Sequence, residues 1–375
     1  MNESTEETTR LTVSKLEDEI VAETRLSMVD GEAGRLVIAG KSLDELAEES
    51  TYEETALRLA SAARGILADP EASDVDDFRR RLGRARVDAF EHLEDQGTFS
   101  VLRRQTDPMD ALKVAISTLA GGQDHEATAT MAMGMAAVAS AAWSRPDAEL
   151  DALRPDPKAG HAADYLRLVR GEEPEPAEVD ALETYLMSVS DHGMNASTFT
   201  ARVIASTESD LGSALVGAIG ALKGPLHGGA PGPVLDMLDA IGSADNAGDW
   251  IADRLQAGER IMGMGHRVYQ VRDPRATAFE SALSLLGEQP RTEGRLALAR
   301  AVEREAEEQL AEAYPDRSLQ ANVEFYTAVL LEAVGLPRDL FTPTFAVGRC
   351  AGWSAHYLEQ RLNGRLIRPR ATYVG

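Results

Sequence analysis

Seven histidines occur in the chain, and three of them sit where a side chain is free to meet a ligand. His192 lies in SDHGMNASTFTAR, His227 in LKGPLHGGAPG and His266 in IMGMGHRVYQVRDPRA. Each is set among glycine, asparagine or proline rather than on a helical stripe, and glycine lets a backbone approach a ligand closely. Metal ligation is one chemistry such residues could serve. Their separations of 35 and 39 residues, with neither an HExxH segment nor paired cysteines, are not a zinc pattern. Phosphate cradling is another. Gly263-Met-Gly265 lacks the third glycine and the preceding strand of a dinucleotide loop. His92 and His356 fall on helical stretches and read as structural or solvent-facing.

The elements that must position these loops are helical. Leu43, Leu46 and Ala47 recur at helical spacing, as do Ala56, Leu59, Ala60 and Ala63. Arg295 to Ala313 reads as one long charged helix whose apolar side carries Leu296, Leu298, Ala301, Ala306 and Leu310. Gly34 to Gly40 is the one strand candidate, a short hairpin. With no βαβ rhythm and no repeat, the fold class is mainly α. Arg154 to Lys158 and Gly171 to Ala177 are proline-bearing polar connections. Neither can tether two domains, so a second domain must be inserted into the first.

At 375 residues and 43% hydrophobic, the chain can bury a large core. Its formal charge of −24 disfavours nucleic acid and anionic lipid as partners. Only five of the 38 basic residues are lysines: Lys15, Lys41, Lys113, Lys158 and Lys223. Few lysines and abundant acids read as the surface of a halophilic protein, whose self-repulsion high salt screens. Cys350 stands alone, which excludes an internal disulfide. The N-terminal MNESTEETTR has no apolar core and is not read as a signal peptide. Ala127 to Trp143 is too short and alanine-rich for a membrane span and reads as an interior or interface helix. A cytoplasmic location is expected.

The three histidine loops belong to an ordered series. DHGMNASTFTARVIAST (191–207), GPLHGG (224–229), MGMGHRVY (262–269), DPRA (273–276), NVEFY (322–326), FAVGR (345–349) and RPR (368–370) follow one another. In order and spacing they resemble the citrate synthase family. The resemblance runs from about Leu26 to Gly375 and is strongest after residue 180.

It implies a condensation, as in the tricarboxylic acid cycle. A proton leaves the methyl of acetyl-CoA, the carbon adds to the ketone of oxaloacetate, and water cleaves the thioester to give citrate and CoA. By the resemblance, Glu324 would be the base. His227, as a neutral imidazole, would hold the enol(ate) oxygen. His266 would stand at the oxo acid's carbonyl and supply its proton. His192 would bind the oxo acid. Arg275, Arg349 and Arg368 would pair with its carboxylates through the fork that lysine lacks. Arg368 would cross from a second subunit, so a homodimer with a shared active site is implied. Acyl-CoA is a substrate, and neither a further cofactor nor a metal is implied. The implied architecture is a large helical domain, 1–226 and 328–375, with a small helical domain, 227–327, inserted.

Four positions depart from the family. Glu324 stands where it has aspartate. Ile38-Ala39-Gly40-Lys41 replaces Tyr-Arg-Gly-Tyr, Pro231-Gly232 replaces Asn-Glu, and Gln270 replaces a basic residue, with Arg272 two further on. The CoA-binding residues are therefore left unassigned. The departures keep three alternatives open: a 2-methylcitrate synthase using propionyl-CoA, a citryl-CoA-cleaving lyase, and a catalytically impaired paralogue that binds a 2-oxo acid.

Overall fold

The computed structural model describes residues 20–119, 124–228, 231–266, 268–287 and 293–373. The acidic N-terminal segment, Gly229 of the GPLHGG turn and Arg267 lie outside these residues.

A small antiparallel sheet opens the chain: β1 (Ser27–Asp30), β2 (Arg35–Ile38) and β3 (Lys41–Ser42), with Ser27 opposite Ile38. Helices follow. They are α1 (Leu43–Glu49), α2 (Tyr52–Ala63), α3 (Ala72–Asp95), α4 (Phe99–Leu102), α5 (Pro108–Ile116), α6 (His125–Ser144), α7 (His161–Arg170) and α8 (Pro176–Val189). Then come α9 (Ala196–Ser206), α10 (Leu211–Leu222), α11 (Pro231–Ile241), α12 (Ala247–Gln256), α13 (Pro274–Leu286), α14 (Arg295–Ala313), α15 (Val323–Ala333) and α16 (Phe341–Asn363). The fold is mainly α, as the periodicity requires. The strand candidate becomes β2, and the long charged helix is α14. The connection expected over 171–177 is shorter than that, because α8 already begins at Pro176. Proline suits a first helical position, and Glu175 and Glu178 close a capping box around it.

The middle of the molecule is built on α6 and α16. Both are buried along most of their length, and α16 packs against α2, α6, α8, α9 and α10. The alanine-rich stretch is thus an interior helix. Among the described residues no helix is long and apolar enough to cross a membrane. Gly352 lets α16 press against the segment that follows α8, since a Cβ there would lie 2.2 Å from the Ser190 carbonyl oxygen.

Several motif residues begin helices. Asn195 caps α9, Asp273 caps α13 and Asn322 caps α15, each accepting a backbone N–H of the first turn. Ser197, Arg275 and Glu324 therefore sit in first turns, where helix dipoles present their positive ends. The β1–β2 turn reaches the loop behind His266. Gln270 N donates to Gly31 O at 2.8 Å, and a Cβ on Gly31 would lie 2.1 Å from Val268 O.

Candidate active site

His192 lies just after α8, and the residue before it is anchored from two sides. Asp191 is fully buried and accepts from Ser27 Oγ (2.5 Å) and from His356 Nε2 (3.2 Å). The Nδ1 of His356 faces an Arg202 nitrogen at 2.9 Å, so Nδ1 accepts and Nε2–H donates. Burial opposes charge on Asp191, but His356, Arg349 and Ser27 outweigh it and hold its carboxyl below the ordinary range. His356 is structural, as its helical position indicates, and its structural task is to fix the His192 loop. His192 itself lies 3.1 Å from the Tyr269 hydroxyl. Burial, then Arg275, Arg349 and His266, push its pKa well down, so it is a neutral imidazole.

His266 is oriented by its own loop. Its Nδ1 accepts the backbone N–H groups of Val268 (2.9 Å) and Tyr269 (3.0 Å). The neutral ring must therefore carry its proton on Nε2, which lies 3.8 Å from Asp273 Oδ2. Burial and Arg275 lower its pKa to about 4 against the pull of Asp273. Its ring centroid is 6.1 Å from that of His192 and 4.8 Å from that of Tyr269. The left-handed conformation of Gly265 (φ 82°) brings the chain into this turn.

His227 sits in the turn after α10. Its Nε2 is 2.8 Å from Ser197 Oγ, and its ring lies 6.4 Å from Phe345. Burial and Arg349 bring its pKa to about 4. Phe345 also lies under the Arg349 guanidinium, 4.6 Å from ring centroid to Cζ.

Two arginines form the cationic floor, both all but fully buried. Arg275 is clamped by Asp273 through Nε (3.0 Å) and Nη2 (2.7 Å). Arg349 donates Nε–H to Val189 O at 2.5 Å, while its buried Nη2 has no hydrogen-bond partner among the described residues. Burial, joined by the repulsion of Arg275, depresses its pKa to about 10. A buried donor without an acceptor is costly in free energy, and a carboxylate would satisfy it.

Glu324 completes the group. Burial raises its pKa to about 7, with Arg275 pulling down and Asp273 pushing up. It is thus a carboxylate able to accept a proton near neutral pH.

Six of the seven residues expected at the site lie in one electrostatically connected region. Arg275 acts on Glu324, His192 and His266, and Arg349 acts on His192 and His227. The structure does not bring Arg368 to them. It is exposed beyond α16 and lines a surface cavity of about 580 Å³ with Arg25 and Arg365. Two cations near the sequence departures are engaged elsewhere. Lys41 pairs with Asp69 at 3.5 Å, and Arg272 with Glu303 (2.6 Å) and Glu280 (2.8 Å). Sequence reasoning missed Ser197, Asp273, Tyr269 and Tyr185. The first three lie inside the quoted motifs, so the motifs themselves were the signal. Tyr185 gave none: its hydroxyl is buried without a partner among the described residues and becomes notable only because α8 passes the arginines. Beside His266 opens a cavity of about 410 Å³, lined by Met264, Gly265, Ile261 and Leu319, with Arg260 and Arg317 as its cations.

Comparison with known proteins places this geometry. The family model for the citrate synthase C-terminal domain matches residues 15–370. The citrate synthase of Haloferax volcanii is 38% identical over 96% of this chain and 95% of its own. The crystal structure of citrate synthase from Thermotoga maritima superposes with a TM-score of 0.82 at 34% identity, over 97% of this chain and 96% of that one. The Thermoplasma acidophilum citrate synthase, solved as a ternary complex with carboxymethyl coenzyme A and oxaloacetate, superposes at 0.83 with 27% identity, over 97% and 96%. This chain belongs to the citrate synthase family and is a transferase of the citrate synthase type.

Proposed function

We propose that the site condenses acetyl-CoA with oxaloacetate. Glu324 takes a proton from the acyl-CoA methyl, and His227 donates a hydrogen bond to the thioester oxygen as it becomes enol(ate). The carbon nucleophile adds to the ketone carbon, and the ketone oxygen takes the Nε2 proton of His266, which the ring regains from the water that enters for hydrolysis. Water then cleaves the thioester, releasing CoA. Arg275 and Arg349 bind the oxo acid's carboxylates, and His192 orients it. Arg368 of a second copy supplies the remaining cation, which accords with its exposed place away from the other six. The domain spanning 227–327 closes on the remainder to exclude water during addition. The cavity beside His266 accepts the nucleotide end of CoA, its phosphates facing Arg260 and Arg317. The working enzyme is a homodimer in a salt-rich cytoplasm, and it needs no further cofactor.

The observation that carries this reading is Glu324. A half-buried carboxyl with a pKa of about 7, facing the buried Arg275 guanidinium and Asp273, is suited to proton abstraction and not to simple binding. CoA release at multimolar KCl, assayed with oxaloacetate and either acetyl-CoA or propionyl-CoA, tests it. Faster turnover of acetyl-CoA is expected. A propionyl preference would make the enzyme a 2-methylcitrate synthase, since one methylene changes discrimination by only about 1–3 kcal/mol. Absence of turnover with both, together with retained oxo-acid binding, would mark an impaired paralogue.

A further inference from the structure

Arg202 lies in the body of α9 and is buried, and its side chain reaches the last turns of α16 at three points. Nε–H donates to Gln360 Oε1 at 3.0 Å, and Nη1 donates to Glu359 Oε2 at 2.7 Å and to His356 Nδ1 at 2.9 Å. From there hydrogen bonds run two ways. One way leads to the His192 loop. His356 Nε2–H donates to Asp191 Oδ2 at 3.2 Å, that oxygen also takes the Ser27 hydroxyl, and Ser27 Oγ accepts Gly193 N–H at 2.8 Å. Asp191 and Gly193 flank His192 on either side. The other way leads to the C-terminal tail. Gln360 Nε2–H donates to Arg365 O at 2.9 Å, and Gly364 N–H donates to Gln360 O at 2.8 Å. The end of α9 adds a second hold, where Ser206 Oγ accepts Ile367 N–H at 3.1 Å, and Arg368 is the next residue.

Donor and acceptor roles agree along the whole path. A guanidinium only donates, so the Gln360 amide must turn its oxygen to Arg202, which leaves its NH₂ for the Arg365 carbonyl. For the same reason Nδ1 of His356 accepts and Nε2 carries the hydrogen that faces Asp191. Arg202 and Glu359 are an ion pair with both side chains 3% exposed. Such a pair adds little net stability over apolar side chains of like size, because desolvation offsets the attraction. What it supplies is position. The planar fork fixes three groups of α16 against α9 at once, which a single ammonium cannot do.

We propose that Arg202 is a positioning residue for the oxo acid and acts on two sites of the dimer. Through His356 and Asp191 it sets His192 in its own subunit's site. Through Gln360 it seats the tail that carries Arg368 to the partner's site. The inference rests on the roles proposed above for His192 and Arg368.

Arg202→Lys keeps the charge beside Glu359 and loses the fork. KM for the oxo acid should rise about tenfold, with KM for acyl-CoA and the melting temperature close to wild type. Arg202→Met with Glu359→Met removes both charges together, so neither is left buried alone, and should show the same split more strongly. An oxo-acid KM of wild-type size in either protein would overturn the proposal. So would equal rises in both KM values, the mark of general loosening. Dimers of two differently tagged chains, with Glu324→Gln silencing one site, separate the two ends. With Arg202→Lys and Glu324→Gln in one chain, the live site keeps its own His192 loop and receives the altered tail. With the two substitutions in opposite chains, the live site has the altered loop and receives an intact tail. The oxo-acid KM should rise about threefold in each arrangement, and a wild-type value in either would overturn the two-ended role. Glu324→Gln opposite Arg368→Ala is the control. No activity in that pair removes the shared site and the tail end of the proposal with it. Activity there, with unchanged KM in the Arg202 dimers, removes this proposal alone. If the wild type releases no CoA, the calorimetric Kd for oxaloacetate takes the place of KM in the homodimers. Weaker binding by Arg202→Lys then supports the positioning role, and equal binding overturns it.

Discussion

At the scale of single residues, two side chains carry most of the chemistry of the proposed reaction. Glu324 has a pKa of about 7 against an ordinary 4.5, so the folded state holds its proton more tightly than the unfolded state. The sign follows. Below 4.5 nothing is lost, and as pH rises from 4.5 through 7 the fold gives up stability on the order of 3 kcal/mol. Glu324→Gln removes that dependence. Calorimetry should find it more stable than wild type at about pH 8 and no different near pH 4, while methyl exchange is abolished and oxo-acid binding kept. Wild-type turnover should climb with pH through about 7, as the base loses its proton. Glu324→Asp restores the family's residue and must change the rate in one direction or the other. An active enzyme indifferent to both substitutions would not use Glu324 as its base. Arg349 is the second such residue. Arg349→Lys keeps a charge but loses the fork, and KM for the oxo acid should rise roughly 100-fold with the KM for acyl-CoA little changed.

At the scale of elements, the site is an assembly of helix beginnings and turns. Capping residues fix Ser197, Arg275 and Glu324 at the positive ends of α9, α13 and α15, a setting that favours anionic substrates. The β1–β2 hairpin joins two of the histidine loops. Ser27 holds the His192 loop through Asp191 and Gly193, and Gly31 meets the loop behind His266. Gly31→Ala puts a methyl 2.1 Å from Val268 O, so the hairpin tip must lift. A fall in kcat of about tenfold or more is expected, with a stability loss of only about 1–3 kcal/mol, because the tip is a surface turn. Wild-type kcat in this variant would show that the hairpin does not position His266. The cavity beside His266 gives a separable test. Arg260→Ala with Arg317→Ala should raise KM for acyl-CoA and leave KM for the oxo acid unchanged if the cavity they line takes CoA as proposed.

At the scale of the whole molecule, the exposed Arg368 makes assembly measurable. If the proposed homodimer shares its sites, the Glu324→Gln and Arg368→Ala variants should each be nearly inactive. Dissociated and reassociated together, they form mixed dimers in which one site has an intact Glu324 and receives an intact Arg368. Random pairing restores about a quarter of wild-type activity. Failure to recover activity, with mixed dimers shown by mass spectrometry, would mean the site is not shared.

The sequence by itself determined the helical class, through apolar positions repeating at 3.6 residues, and the order of the loops that carry chemistry, through glycines beside histidines. It also determined which side chains are chemically able to act, because residue type fixes donor, acceptor and charge. These properties are local, and a single chain segment suffices to define them. The tertiary structure decided which nitrogen of His266 and of His356 holds the proton, and it raised a carboxyl to about 7 and left a guanidinium Nη2 buried without a hydrogen-bond partner among the described residues. Those depend on desolvation and on neighbours far away in sequence: Ser197 and Trp353 are 156 residues apart, and Ser27 and Asp191 are 164. No periodicity or spacing encodes such separations, because they arise only when the ends of α8, α9, α13 and α15 meet the middle of α16.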